Sequence, residues 1–180
     1  MRLFKGVDGS VLWLRKVEAS GVDNLRREAA QRGVAPDRLI FAERVALPAD
    51  HLARHRQADL FLDTLPYNAH TTASDALWAG LPLVTCSGEA FASRMAGSLL
   101  RALQMPELIT DSIADYEALA IDFAMHPDLI ASTRAKLASN RLTEPLFDTE
   151  LFTRHLENAY TKLYERNQAR LPPDHICIEE

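Results

Sequence analysis

His70, Thr71 and Thr72 stand together where a Pro/Asn-containing segment, "TLPYNA" (64–69), gives way to an apolar helix ended by Gly80. Residues of these types at a helix start suit an anion. The first turn of a helix carries unpaired N–H groups and the positive end of the macrodipole, and both attract phosphate. The hydroxyls of Thr71 and Thr72 add two donors. Asp75, one turn further in, is the wrong sign for phosphate but can accept hydrogen bonds from sugar hydroxyls. The spacing therefore suits a nucleotide, with phosphates at the helix tip and ribose one turn deeper. Thr72-Ala-Ser-Asp75 also fits a capping box of the Ser/Thr-x-x-Asp/Glu type, which needs no ligand. The two readings are compatible, because a capped helix start can rearrange slightly on binding.

Other chemistries find less support. The six His residues include no HExxH pattern, and His51 and His55, four apart, have no carboxylate joining them in a ligand pattern, so no metal site is expected. Neither a GxSxG elbow nor a P-loop occurs. Glu89, after Gly88 at an expected helix start, could reach a sugar, yet an acidic first turn is also simply favoured by the dipole. The net charge of -5 over 180 residues argues against nonspecific nucleic-acid binding, which draws on Lys and Arg neutralising phosphates. No apolar stretch is long enough to span a bilayer, and the start "MRLFKGVDGS" lacks a secretory apolar region. Cys86 and Cys177 are far apart and suggest neither a disulfide scaffold nor a zinc site, so a reducing cytoplasm is expected.

The elements that must position the His-Thr-Thr turn follow from apolar runs. Segments 10–16, 38–44, 58–64, 81–86 and 107–110 read as strands. Helices are expected at 21–34, with Leu25, Ala29 and Ala30 on one side, and at 49–57, Thr72 to Ala79, and about Ala90 to Leu103. From Ser112 onward the pattern is almost wholly helical. Strands alternating with helices imply an α/β, Rossmann-like parallel sheet flanked by helices. Ligands in such folds sit beyond the carboxyl ends of the strands, where the His-Thr-Thr turn falls. The helix from Glu150 to Arg166 carries apolar residues at three- and four-residue steps, suited either to its own sheet or to another lobe. Residues 1–168 are expected to form one lobe, and 169–180 an extended or disordered tail.

The combination "DTLPYNAHTTASDALWAGLPLVT", with "SVLWLR", "GEAFASRMAGSLL" and "RLTEPLFDT", resembles the C-terminal catalytic lobe of O-linked N-acetylglucosamine transferases, bacterial and SPINDLY-like members included. The resemblance implies the C-terminal half of a GT-B glycosyltransferase, binding UDP-GlcNAc without a metal cofactor and transferring N-acetylglucosamine to Ser or Thr of proteins. It implies that His70, Thr71 and Thr72 bind the diphosphate and Asp75 the ribose. It places Ala46 where a backbone group contacts uracil, Arg54 where a side chain reaches the base, and His51 beside the nucleotide. Pro48 stands where animal members carry a Lys stacked on uracil, which leaves a guanosine carrier such as GDP-fucose open as an alternative.

The family's Gln-x-x-Lys segment, whose Lys neutralises the departing diphosphate, belongs upstream of the "VLWL" strand, and this chain begins after it. The acceptor-side lobe with its His belongs upstream as well. No catalytic residue is therefore assigned, and the 180-residue chain is expected to be incomplete and inactive alone. The partners implied are a protein acceptor, an N-terminal catalytic lobe and tetratricopeptide repeats. A rival reading from another class is a noncatalytic module that keeps the fold and docks a partner through its terminal helix.

Overall fold

The structure, a computed structural model, describes residues 1–178. In chain order the elements are α1 (Arg2–Gly6), β1 (Leu12–Arg15), α2 (Ala19–Gln31), β2 (Leu39–Ala42), α3 (Pro48–Arg54), β3 (Phe61–Leu62), α4 (Thr71–Trp78), β4 (Leu83–Cys86), α5 (Met95–Ala102), β5 (Ile109–Thr110), α6 (Ile113–Met125), α7 (Pro127–Thr143) and α8 (Thr149–Gln168). All the strand pairings are parallel: β1 with β2 in one group, and β3, β4 and β5 in that order in another. The α/β architecture expected from the alternation is present, with its strands in two hydrogen-bonded groups.

Burial explains why β4 is central. Its four consecutive residues, Leu83 to Cys86, are all buried. Neighbouring side chains on a strand point to opposite faces, so both faces of β4 are covered. Helices α4, α5 and α6 all touch it. Leu77, Leu100, Leu103, Phe123 and Leu137 complete the larger core. A fully buried side chain of this size contributes roughly 1.5–3 kcal/mol, so this cluster anchors the end of β3 and the helix α4 that follows. A smaller cluster of Phe4, Ala29, Val34 and Leu39 holds β1, β2, α1 and α2 together.

Several elements depart from the sequence expectation. Of Leu25, Ala29 and Ala30, only Ala29 faces the core; Val22, one helical period of seven earlier, shares its face. That helix stops at Gln31 because Gly33 takes a left-handed φ of 75°. The helix expected over 90–103 is broken at Arg94 into a 3₁₀ turn, Phe91–Ser93, and α5. Gly88 passes so close to Ser93 that a Cβ would lie 2.5 Å from its Oγ, which closes this turn tightly. Proline shortens two strands at their starts: Pro36–Arg38 and Pro106–Leu108 form 3₁₀ turns, leaving β2 and β5 to begin at Leu39 and Ile109. Helix α1 has no strong sequence signal, and tertiary contacts secure it. Arg38 donates to the carbonyls of Phe4, Val7 and Ser10 and lies over the Phe4 ring.

Helix α8 buries none of its residues, so it does not pack on the sheet. Beyond it, Arg166 donates to the Pro172 carbonyl and Lys162 to that of Cys177, which lays the following segment along the helix. Among the described residues, no helix is long and apolar enough to cross a membrane.

Candidate functional site

The site is built from the end of β3. Asp63 continues the pairing with β4 through its N–H to the Val84 carbonyl, and is only 5% exposed. Its Oδ1 accepts the N–H groups of Thr64 (2.8 Å) and Ala69 (2.7 Å), and its Oδ2 accepts the Thr85 hydroxyl (2.6 Å). The Tyr116 hydroxyl donates to the Asp63 carbonyl at 3.0 Å. One carboxylate thus ties both ends of the loop 64–69 to the strand beside it. Within the loop, Thr64 Oγ1 donates to the Tyr67 carbonyl and Asn68 Nδ2 to that of Thr64, while the Asn68 N–H reaches Ala92.

The loop delivers His70 as the N-cap of α4. Its carbonyl accepts the N–H groups of Ala73 and Ser74, both at 3.1 Å. Its ring stacks on Tyr67 with centroids 4.9 Å apart and planes at 12°, and meets Phe91 edge-on at 6.3 Å. The buried His70 Nε2 and Asn68 Oδ1 have no hydrogen-bond partner among the described residues. Thr71 and Thr72 are exposed, and their N–H groups meet no protein acceptor among the described residues. The helix start is therefore open and unsatisfied.

The capping box expected at Thr72–Asp75 does not form. Thr72 is the second helical residue rather than the cap, and no side chain caps α4. Freed from that role, Asp75 places Oδ2 3.5 Å from His51 Nε2. Arg54 Nη2 donates to His51 Nδ1 at 3.0 Å, so the imidazole proton sits on Nε2, facing the carboxylate. Arg54 Nη1 donates to the Glu43 carbonyl at 2.9 Å, and His55 Nδ1 donates to the His51 carbonyl at 2.8 Å. Arg54, read from its basic neighbourhood, resembles solvated helix surface; in the fold it is partly buried and holds the β2–α3 loop.

Of the residues singled out in the sequence, His51, Arg54 and Asp75 form one connected chain between α3 and α4. His70, Thr71 and Thr72 line the start of the same α4. Ala46 is exposed in the loop spanned by the Arg54–Glu43 contact, just before Leu47, the N-cap of α3. Pro48 occupies the first position of α3, where its fixed φ favours a helix and its missing N–H costs nothing. Two open concavities lie elsewhere, one of about 460 Å³ between α8 and residues 171–177, the other of about 370 Å³ beside Trp78 and Arg141; neither is lined by these residues. Glu89 is exposed and precedes a 3₁₀ turn rather than an α-helix.

Sequence reasoning missed Asp63, Asn68, Thr85 and Tyr116. One signal was available: an acidic residue closing an apolar strand just before a loop. Nothing local marks Thr85 or Tyr116, which reach Asp63 from other elements. Burial raises the Asp63 pKa above 3.8, against the opposing pull of its Ala69, Thr85 and Thr64 hydrogen bonds and the nearby His70. Burial, then the charges of Asp63 and Cys86, also raise the pKa of Tyr116.

A family model described as glycosyl transferase family 41 matches residues 1–156. The chain belongs to that family. Its family 41 relatives include the probable UDP-N-acetylglucosamine–peptide N-acetylglucosaminyltransferase SEC of Arabidopsis thaliana, 37% identical over 99% of this chain and 18% of that protein. The UDP-N-acetylglucosamine–peptide N-acetylglucosaminyltransferase of Caenorhabditis elegans is 35% identical over 98% of this chain and 15% of its own length. A solved structure of a lysine-to-methionine mutant of the Thermobaculum terrenum O-GlcNAc transferase superposes with a TM-score of 0.84 at 29% identity, covering 91% of this chain and 32% of that one. The family match includes residues 1–9, ahead of the "SVLWLR" segment. The chain spans less than a fifth of the length of these plant and nematode relatives.

Proposed function

We propose that this chain forms the donor-binding lobe of a protein O-GlcNAc transferase and holds UDP-GlcNAc at the start of α4. The observation that carries the reading is the unsatisfied start of α4, beyond the carboxyl end of a parallel strand, in a family 41 chain. The Thr71 and Thr72 N–H groups and hydroxyls would receive the pyrophosphate. Asp75, already offering a carboxylate at the surface, would accept a ribose hydroxyl. His51 and Arg54 would border the base, with the backbone of Ala46 beside it. Hydrogen bonds to a charged group are worth about 1.5–3 kcal/mol each, against about 0.3–1 kcal/mol for an exposed helix dipole. The individual donors, rather than the dipole, should therefore dominate affinity.

Transfer itself also needs groups that stabilise the leaving diphosphate and orient the acceptor. We assign these to a companion N-terminal lobe, with tetratricopeptide repeats and a protein acceptor as further partners, in keeping with the small share of its relatives that this chain spans.

Calorimetry with UDP and with GDP tests the donor site. UDP is expected to bind more tightly, and Asp75→Ala to weaken UDP roughly tenfold, about 1.4 kcal/mol, with little change in Tm. Absence of any UDP heat, or an unaltered affinity in Asp75→Ala, would remove the assignment. Preference for GDP would instead favour a guanosine-linked donor, which Pro48 in place of a stacking Lys leaves room for.

A further inference from the structure

We infer that Asp63 is the positioning residue of the donor-binding turn. This rests on the reading that the start of α4 receives the donor pyrophosphate, and it concerns a residue that touches no ligand. The geometry is direct. Ala69 is the last residue before His70, and its N–H is bound by Asp63 Oδ1 at 2.7 Å. The same oxygen takes the Thr64 N–H at the other end of the loop. The carboxylate therefore fixes the peptide from which His70, Thr71 and Thr72 depart.

Asp63 is itself held from three sides, one of them its own N–H bound to the Val84 carbonyl of β4. Thr85 on β4 donates to Oδ2, and the Thr85 carbonyl accepts the Thr110 hydroxyl of β5 at 3.1 Å. Tyr116 on α6 holds the Asp63 carbonyl. The polar chain runs Thr110, Thr85, Asp63, Ala69 across the carboxyl ends of three strands to the start of α4. Asp63, Thr85 and Thr110 are all buried, so a lost partner cannot be replaced by bulk water at no cost. A turn that must present two N–H groups to one pyrophosphate tolerates little displacement, and this chain supplies the rigidity. Asp63 acts here as an acceptor of backbone N–H groups, so an amide oxygen in the same place should largely replace it.

The test uses the whole 180-residue chain with UDP as probe and four variants: Asp63→Ala, Asp63→Asn, Thr85→Val and, as a destabilised control in the core of α7, Leu137→Ala. Asp63→Ala is expected to weaken UDP binding roughly tenfold. Asp63→Asn, whose Oδ1 still receives both N–H groups, is expected to stay within about threefold of the parent. Leu137→Ala, measured where it is folded, should bind UDP as the parent does. In amide hydrogen exchange without ligand, Thr64 and Ala69, whose N–H groups Asp63 binds, should lose protection in Asp63→Ala and Thr85→Val beyond any loss shared with Leu137→Ala. If Asp63→Ala does not fold, Thr85→Val and Asp63→Asn carry the comparison. Wild-type affinity in Asp63→Ala, an affinity loss in Leu137→Ala of the same size, or failure of Asp63→Asn to rescue would each overturn the inference. A parent chain that binds no UDP sinks the donor-site reading instead, and the ligand-free exchange then still decides whether Asp63 sets the turn.

Discussion

Asp63 shows how a single buried carboxyl is divided between opposing demands. Burial disfavours its anion, while three donors favour it, and burial prevails: its pKa lies above the ordinary 3.8. Between 3.8 and the raised value the native state binds more protons than the unfolded chain. The stability contributed by this group is therefore full below that window and falls as pH rises through it. Asparagine does not titrate, so Asp63→Asn removes this slope and leaves the other carboxylates in place. The expected outcome is that the stability of the parent relative to Asp63→Asn declines as pH rises through the window and is flat above it. Urea melts at a series of pH values measure this difference; a constant difference across the acid range would show that burial and the donors cancel, and a difference that rises with pH would show that the donors win. His51 and Asp75 pose a different problem at the same scale. They are 24 positions apart, and no local spacing pairs them; only the fold brings the imidazole N–H toward the carboxylate. The family resemblance placed both at a nucleotide, while their mutual contact was invisible in the residue pattern.

At the scale of elements, helix ends set the path of the chain into the next strand or loop. Helices α2, α4 and α5 each close with a left-handed residue, at Gly33, Gly80 and Gln104 (φ 75°, 86° and 54°). In each case the next N–H returns to the last turn: Val34 to Ala29, Leu81 to Ala76, Met105 to Leu100, all at 2.9 Å. This is the Schellman geometry, which glycine adopts freely and other residues enter at a cost. Gln104 is exposed and bears that cost. Gln104→Gly is expected to stabilise the protein by about 1 kcal/mol, and Gly80→Ala to destabilise it by a similar amount, both read from thermal or urea unfolding. Helix α7 supports two of these ends from outside. Asn140 donates to the Leu103 carbonyl and Arg141 to that of Trp78, each at 2.7 Å. The alternation of strands and helices was legible because apolar runs such as "LPLVTC" have few other solutions. Gly80 was legible as a stop for the same chemical reason that it works as one. Gln104 was not, because its conformation is imposed by packing rather than by residue type. The boundaries at Leu39 and Ile109 were blurred because a Pro-led 3₁₀ turn and a strand start draw on the same apolar residues. The His-Thr-Thr turn was legible as a helix start, but the cap fell on His70 instead of Thr72, because the loop clasped by Asp63 sets where the helix begins.

For the whole molecule, neither core holds a residue of α3 or α8, and α8 of the two carries a stripe of large exposed apolar side chains. Phe152, Leu156, Tyr160, Leu163 and Tyr164 follow helical spacing on α8, and all are exposed, Tyr160 to 62%. The segment after α8 lies along Lys162 and Arg166 and does not cover this stripe. A helix that packed on its own sheet would have buried it, so that reading of the periodicity fails. Large aromatic and aliphatic side chains grouped on one exposed face lower their free energy by finding an apolar partner. In a longer family 41 protein a second lobe could supply it, whereas in the isolated chain the nearest equivalent surface is another copy. The 180-residue chain is therefore expected to self-associate as its concentration rises. Replacing Leu156 and Tyr160 together by Ser should leave the circular dichroism spectrum unchanged and shift the chain to monomer in sedimentation velocity. UDP affinity should be the same in both forms, since none of the proposed donor contacts comes from α8. A parent chain that stays monomeric at high concentration would mean that the stripe needs the geometry of a specific partner, and a fall in UDP affinity on the double substitution would tie α8 to the donor site.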